Sequence, residues 1–168
     1  MTAASVHPPT RRWSRRARPL LGTLVEIGTP LDAASSRAVA LGFGAIEEVQ
    51  ACLSRFENRS DIARFNAMDC GAILTMRAAT AEALCAAADL RRLTAGLFDI
   101  SLGTAVDGWQ IDGERLVKRD ARTRLDLGGI GKGLAVDRAV QALRDAGVAD
   151  GWVNAGGDLR AFGAVELP

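Results

Sequence analysis

LDLGGIGKGLAVD (Leu125–Asp137) and, a short way on, VNAGGDLRAFG (Val153–Gly163) set the reading of this chain. Each is a short apolar run with the look of a strand that feeds into glycines, and in the first the glycines open a helix. Asp126 falls at the end of its strand and Lys132 among the glycines. Gly128, Gly129, Gly131 and Gly133 carry no side chain, so main-chain N–H groups there can approach an anion closely. A carboxylate, an ammonium group and bare main chain within one turn suggest a site for a phosphorylated ligand. The segment is not a P-loop, because Gly133 rather than Ser or Thr follows Gly131-Lys132. Nor is it a dinucleotide fingerprint, which would require glycine at Val136.

Working outward from this segment, Leu20–Thr29 alternates around Leu24, Val25 and Ile27 and reads as a first strand ended by Pro30. Asp32 reads as an N-cap for an amphipathic helix over Ala33–Leu53, with Val39, Phe43, Ile46, Val49 and Leu53 inward. Ser54–Asn66 is polar and turn-rich with a short helical piece. Gly71–Met76 reads as a strand, and Thr80–Ala95 as a helix stopped by Gly96. Gly96–Trp109 is a loop, and Ile111–Arg124 a hairpin turning at Asp112-Gly113. Arg122–Leu127 is the strand feeding the glycines. Gly131–Ala146 is the helix after them, with Leu134, Ala135, Ala139, Val140 and Leu143 inward. Gly151–Asn154 and Ala161–Leu167 read as strands. Helices mixed with hairpins predict an α+β fold, a mixed or antiparallel sheet with packed helices, rather than a doubly wound sheet.

The 168 residues fit one domain over 20–168, behind a flexible basic tail over 1–19 that holds Arg11, Arg12, Arg15, Arg16 and Arg18. A formal net charge of +1 gives no global field to recruit nucleic acid or an anionic membrane. The paired arginines resemble an export signal, but only Pro19, Leu20 and Leu21 follow before Gly22, so a cytoplasmic protein without a membrane anchor is expected. Cys52, Cys70 and Cys85 show no metal or disulfide spacing, and Cys52 and Cys85 read as buried apolar residues. His7 is the sole histidine, which leaves Cys–His and Ser–His–Asp chemistry unsupported.

Four blocks in one order resemble the ApbE family of FAD:protein FMN transferases: Leu21-Gly22-Thr23, SRFENRSDIARFN (54–66), GLFDISLG (96–103), and LDLGGIGKGLAVD with VNAGGD. The resemblance spans roughly residues 20 to 163. It implies Mg²⁺-dependent transfer of FMN from FAD to a Thr or Ser hydroxyl of an acceptor protein, with release of AMP. Leu21 and Phe56 stand where the family has a Met and a Tyr lining the FAD site. Leu97, Phe98, Asp99, Asp126 and Lys132 match FAD contacts. Gly129 matches an oxygen ligand of Mg²⁺, which for glycine is the main-chain carbonyl. No catalytic residue is singled out.

Structural alternatives stand beside these roles. Asp99 as a loop cap, Asp126 as a turn anchor, Phe56 and Phe98 as core, and Asp137 in an ion pair are each compatible with the sequence. The family pattern continues with a Pro-rich Asp-Pro-x-(Thr/Ser)-Gly-like block, an Asp-x-x-x-Thr element and a histidine, none of which precedes Pro168. A fragment, a reduced member and a site completed by a second chain, including a homo-oligomer, are the three readings. A flavin-binding module and an FAD pyrophosphatase accordingly stand as alternatives to the transferase.

Overall fold

The computed structural model describes residues 12–165. Strand β1 (Trp13–Leu20) turns through Leu21 and Gly22 into β2 (Thr23–Pro30), paired antiparallel from Trp13↔Pro30 to Leu20↔Thr23. Both turn residues have positive φ, +55° at Leu21 and +71° at Gly22. That backbone matches the twist of the flanking strands, and glycine adopts it without strain. The expected first strand is thus two strands and a turn.

The expected flexible tail is corrected from Trp13 onward, where the chain is strand; residues 1–11 of it lie outside the described residues. β1 is an edge strand, mostly exposed, so its arginines do not enter a core. Two of the three, Arg15 and Arg18, are also partnered. Arg15 meets Glu26 at 3.1 Å, and Arg18 meets Glu47 at 2.9 Å while its guanidinium lies 4.6 Å from the Phe43 ring centre. Pro19 is tolerated because an edge strand can lack a ladder donor.

Asp32 caps α1 (Ala33–Leu53), its carboxylate accepting from the Ser35 N–H. The five residues expected inward are all buried. Then come α2 (Asp61–Ala67), β3 (Ile73–Thr75), α3 (Ala78–Leu93), β4 (Trp109–Asp112), β5 (Arg115–Lys118), α4 (Gly128–Asp145), β6 (Gly151–Ala155) and β7 (Asp158–Phe162). Two antiparallel sheets result, ordered β1-β2-β6-β7 and β3-β5-β4. The fold is α+β, as expected. α1 and α4 pack on each other and on the larger sheet, and α3 packs against both. Val25, Ile27, Val153 and Ala155 alternate inward from β2 and β6 to meet Phe43, Ile46, Ala139 and Leu143 in one core.

Several local expectations shift. The hairpin turns at Gly113-Glu114, since Asp112 pairs with Arg115. The last strand begins at Asp158 and ends at Phe162. Cys52 is buried, but Cys85 is exposed on α3. The α4 helix starts at Gly128, inside the glycines. Leu134 is only partly buried, and Val136 takes an inward place instead.

The expected strand at Arg122–Leu127 is instead the end of a turn followed by irregular chain that pairs with no strand. Its ladder is replaced by bonds from other elements. Asn66 bonds Leu125 twice, Oδ1 accepting from its N–H at 2.7 Å and Nδ2 donating to its carbonyl at 2.9 Å. The Thr104 hydroxyl accepts from the Arg124 N–H, and the Ile100 carbonyl accepts from the Asp126 N–H.

Candidate functional site

Helix α4 begins without a side-chain cap of its own; its N-cap is Leu127. Asp126, one residue earlier, anchors the start, its Oδ1 accepting from the Gly128 N–H at 2.8 Å. Ile130 and Gly131 donate back to the Leu127 carbonyl. Among the described residues the Gly129 N–H meets no acceptor. A helix N-terminus with a free N–H attracts negative charge.

In front of this turn lies a cleft of about 450 Å³. Leu21 and Gly22 form one rim, Ser54–Glu57 another, and Asp126–Gly128 with Gly131 and Lys132 the floor. Leu21, Phe56, and the pair Asp126 and Lys132 therefore converge from three stretches far apart in sequence. Phe56 is 81% exposed, which rules out the core alternative for it. Leu21 is held in the left-handed region by the Gln50 side chain, whose Oε1 accepts its N–H at 2.6 Å while Nε2 donates to Glu57. Backbone strain of this kind gathers at binding sites. Lys132 Nζ contacts Asp158 Oδ2 at 2.6 Å, on β7. Asp137 pairs with Arg160, again tying α4 to β7.

The remaining predicted residues do not line this cleft. Phe98 is half-buried and packs on Gly129, where a Cβ would lie 3.4 Å from its ring. Leu97 points to solvent at 91% exposure. Asp99 caps its own loop, accepting from the Ser101 N–H, the Ser101 hydroxyl and the Gly103 N–H. Desolvation works to raise its pKa, but these bonds together outweigh it and hold the pKa below the ordinary carboxylate value. Among the described residues no three His, Cys, Asp or Glu side chains gather to hold a metal. A wider groove of about 630 Å³ between α3 and β4 holds none of the predicted site residues, and its Arg91 and Arg92 pair with Asp107 and Asp89.

Two neighbours of the cleft and its supporting loop escaped the sequence reading. Arg55, at the cleft rim, pairs through Nε with Asp126 Oδ2 at 3.2 Å. Lys118 is fully buried, and its ammonium donates to the Phe65 and Asn66 carbonyls at the end of α2. It thereby steadies Asn66, which holds Leu125 beside Asp126.

Burial, aided by Arg124, keeps the Lys118 pKa below the usual lysine value. The unfolded chain keeps that proton until about pH 10.4. Between the lowered folded pKa and that value the unfolded state binds more protons, so this group's contribution to stability rises with pH. Lys118→Met is expected to remove that rise. The check is urea unfolding at pH 8 and 10, with wild type gaining relative to the variant at the higher pH. The chain has two lysines and no tyrosine, so few other groups intrude. The opposing contribution of Cys52, whose pKa burial raises, cancels in the comparison.

The strand orders, the helix packing and a cleft at a glycine-rich helix start define an α+β domain with a partly apolar cleft that carries charges of both signs. The chain belongs to the ApbE family, whose sequence profile matches residues 21–117 and 110–168. No curated protein matches it by sequence. Its structure is similar to the flavin transferase ApbE of Vibrio cholerae, with 21% identity and a TM-score of 0.85, covering 91% of this chain and 60% of that one. It is also similar to the apo flavinyl transferase ApbE of Pseudomonas stutzeri, with 22% identity and a TM-score of 0.81, covering 90% of this chain and 59% of that one. For the ApbE protein of Thermotoga maritima the values are 22% and 0.80, covering 89% and 59%. The chain thus spans about three fifths of the length of these structures. No described helix is long and apolar enough to cross a membrane.

Proposed function

We propose that this protein transfers FMN from FAD to a Thr or Ser hydroxyl of an acceptor protein and releases AMP, with Mg²⁺ accompanying the nucleotide. The observation that carries the reading is the convergence of Lys132 and the glycine-rich start of α4 at one cleft whose rim presents Phe56 and Leu21. An ammonium group and a helix N-terminus suit the diphosphate of FAD. The exposed Phe56 ring offers a stacking face, and Leu21 an apolar edge, for a flat aromatic ring.

In the transfer, the acceptor oxygen bonds to the FMN phosphorus, the bond from that phosphorus to the AMP phosphate oxygen breaks, and the hydroxyl proton is released. Lys132 and the helix start stabilise the negative charge that moves onto the leaving AMP. The described residues do not by themselves fit a magnesium shell. The Gly129 carbonyl lies in the first turn of α4, where the regular helical pattern directs it to the Gly133 N–H. Phosphate oxygens and water are suitable ligands for the ion when nucleotide is bound.

Incubation with FAD and Mg²⁺ tests the proposal. AMP together with flavin fluorescence that stays on a Thr- or Ser-bearing acceptor after denaturation is the expected result. AMP with free FMN makes the protein a pyrophosphatase, and bound but intact FAD makes it a binding module. No FAD binding at all ends the flavin reading.

A further inference from the structure

We propose that Arg55 is a second cation for the diphosphate of the bound nucleotide, an assignment that rests on the flavin reading above. Arg55 follows Ser54, the C-cap of α1, in a loop pinned at both ends. The Ser54 hydroxyl accepts from the Phe56 N–H, and the Ser54 carbonyl accepts from the Ser60 hydroxyl at 2.5 Å. The guanidinium is then fixed from two sides. Its centre lies 4.6 Å from the Phe56 ring centre, and Nε lies 3.2 Å from Asp126 Oδ2. The outer nitrogens meet no acceptor among the described residues, although the side chain lines the cleft and is 50% exposed.

Two considerations separate this role from simple pairing with Asp126. A half-exposed ion pair adds little to stability, so the pair alone gives weak reason for holding a guanidinium there. The charge balance of the cleft also depends on it. Arg55 and Lys132 offset Asp126 and Glu57 along the lining, with Asp158 close behind Lys132. Without Arg55 the lining turns net negative and repels a diphosphate. With it, a planar fork of free N–H donors stands beside the open helix start, in the geometry that binds two phosphate oxygens together.

The test compares FAD with riboflavin, which has the same ring system and no phosphate, by flavin fluorescence on the 168-residue chain. Arg55→Ala is expected to weaken FAD binding about tenfold or more, with riboflavin binding changed less than about twofold. Arg55→Lys, which keeps charge but not the fork, is expected to recover part of the loss. Thermal melts of both variants check that the fold is retained. Three results overturn the assignment while leaving the flavin reading in place: unchanged FAD affinity in Arg55→Ala, equal loss for FAD and riboflavin, or full recovery in Arg55→Ala/Asp126→Asn. The last would mean that Arg55 acts only by neutralising Asp126. A wild-type chain that binds neither ligand overturns the flavin reading and this assignment with it.

Discussion

Lys132→Ala is expected to weaken FAD binding by about ten- to a hundredfold while leaving the melting temperature almost unchanged. Two effects act in the same direction. The ammonium group that faces the phosphates is lost, and charge-assisted bonds of that kind are among the stronger polar contacts. The Asp158 carboxylate, which contacts Nζ at 2.6 Å, also loses its partner at the edge of the cleft and repels phosphate. Stability moves little because both partners are well exposed, 38% for Lys132 and 42% for Asp158, and a surface pair of this sort adds less than about 1 kcal/mol. Asp158→Asn separates the contributions. It frees the ammonium from its tether and removes a negative charge, so FAD affinity is expected to hold or improve. Fluorescence titration with parallel thermal melts provides the check. Undiminished FAD affinity in Lys132→Ala removes Lys132 from the site. Equal loss in Asp158→Asn would reduce its role to holding α4 on β7.

Much of the scaffold behind this site can be read along the chain, because α1, α3 and α4 carry their own periodicity and stops. Asp32 caps α1 locally, and Gly96 and Gly147 take positive φ just past the ends of α3 and α4. Strand β1 escapes such a reading because an exposed edge strand has no apolar face to betray it. Its arginines are explained only by Glu26 and Glu47, which fold brings to them. Arg122–Leu127 has the composition of a strand, yet its partners are Asn66, Ile100 and Thr104, whose positions depend on tertiary structure. The glycine motif points to Asp126 and Lys132 directly, since both belong to one local turn. Arg55 sits in an aperiodic loop, and Lys118 in a strand whose alternation does not tell a buried ammonium from a solvated one. Asp99 shows the converse. Its motif is recognisable, but three local donors already use its carboxylate.

Asp61→Ala is expected to cost about 3–5 kcal/mol, the largest loss of stability from a single polar substitution in this chain. Asp61 is 1% exposed and opens α2 directly after its N-cap, Ser60. Its Oδ2 accepts from the Arg77 N–H at 2.8 Å and from the Thr80 hydroxyl at 2.7 Å, while Oδ1 accepts from Arg77 Nε at 3.0 Å. Helix α3 has no side-chain cap from its own N-cap residue, Arg77, so the Asp61 carboxylate supplies the negative charge that its N-terminus favours. Arg77 in turn donates to the Ala51 carbonyl near the end of α1. One carboxylate thus joins three helices, and alanine would leave the buried Thr80 hydroxyl and the Arg77 N–H without their acceptor. Asp61→Asn keeps one acceptor but turns an NH₂ toward the same donors, so an intermediate loss is expected. For a chain of this length a loss of that size corresponds to a fall of roughly 6–20 °C in melting temperature. Nucleotide binding should weaken too, because α2 carries Asn66, and Asn66 holds Leu125 next to Asp126. Excess FAD should then raise the melting temperature of Asp61→Ala, since a ligand that binds only the folded state stabilises it by mass action. A variant that melts within a degree or two of wild type would show that the Asp61 network carries neither the helices nor the site.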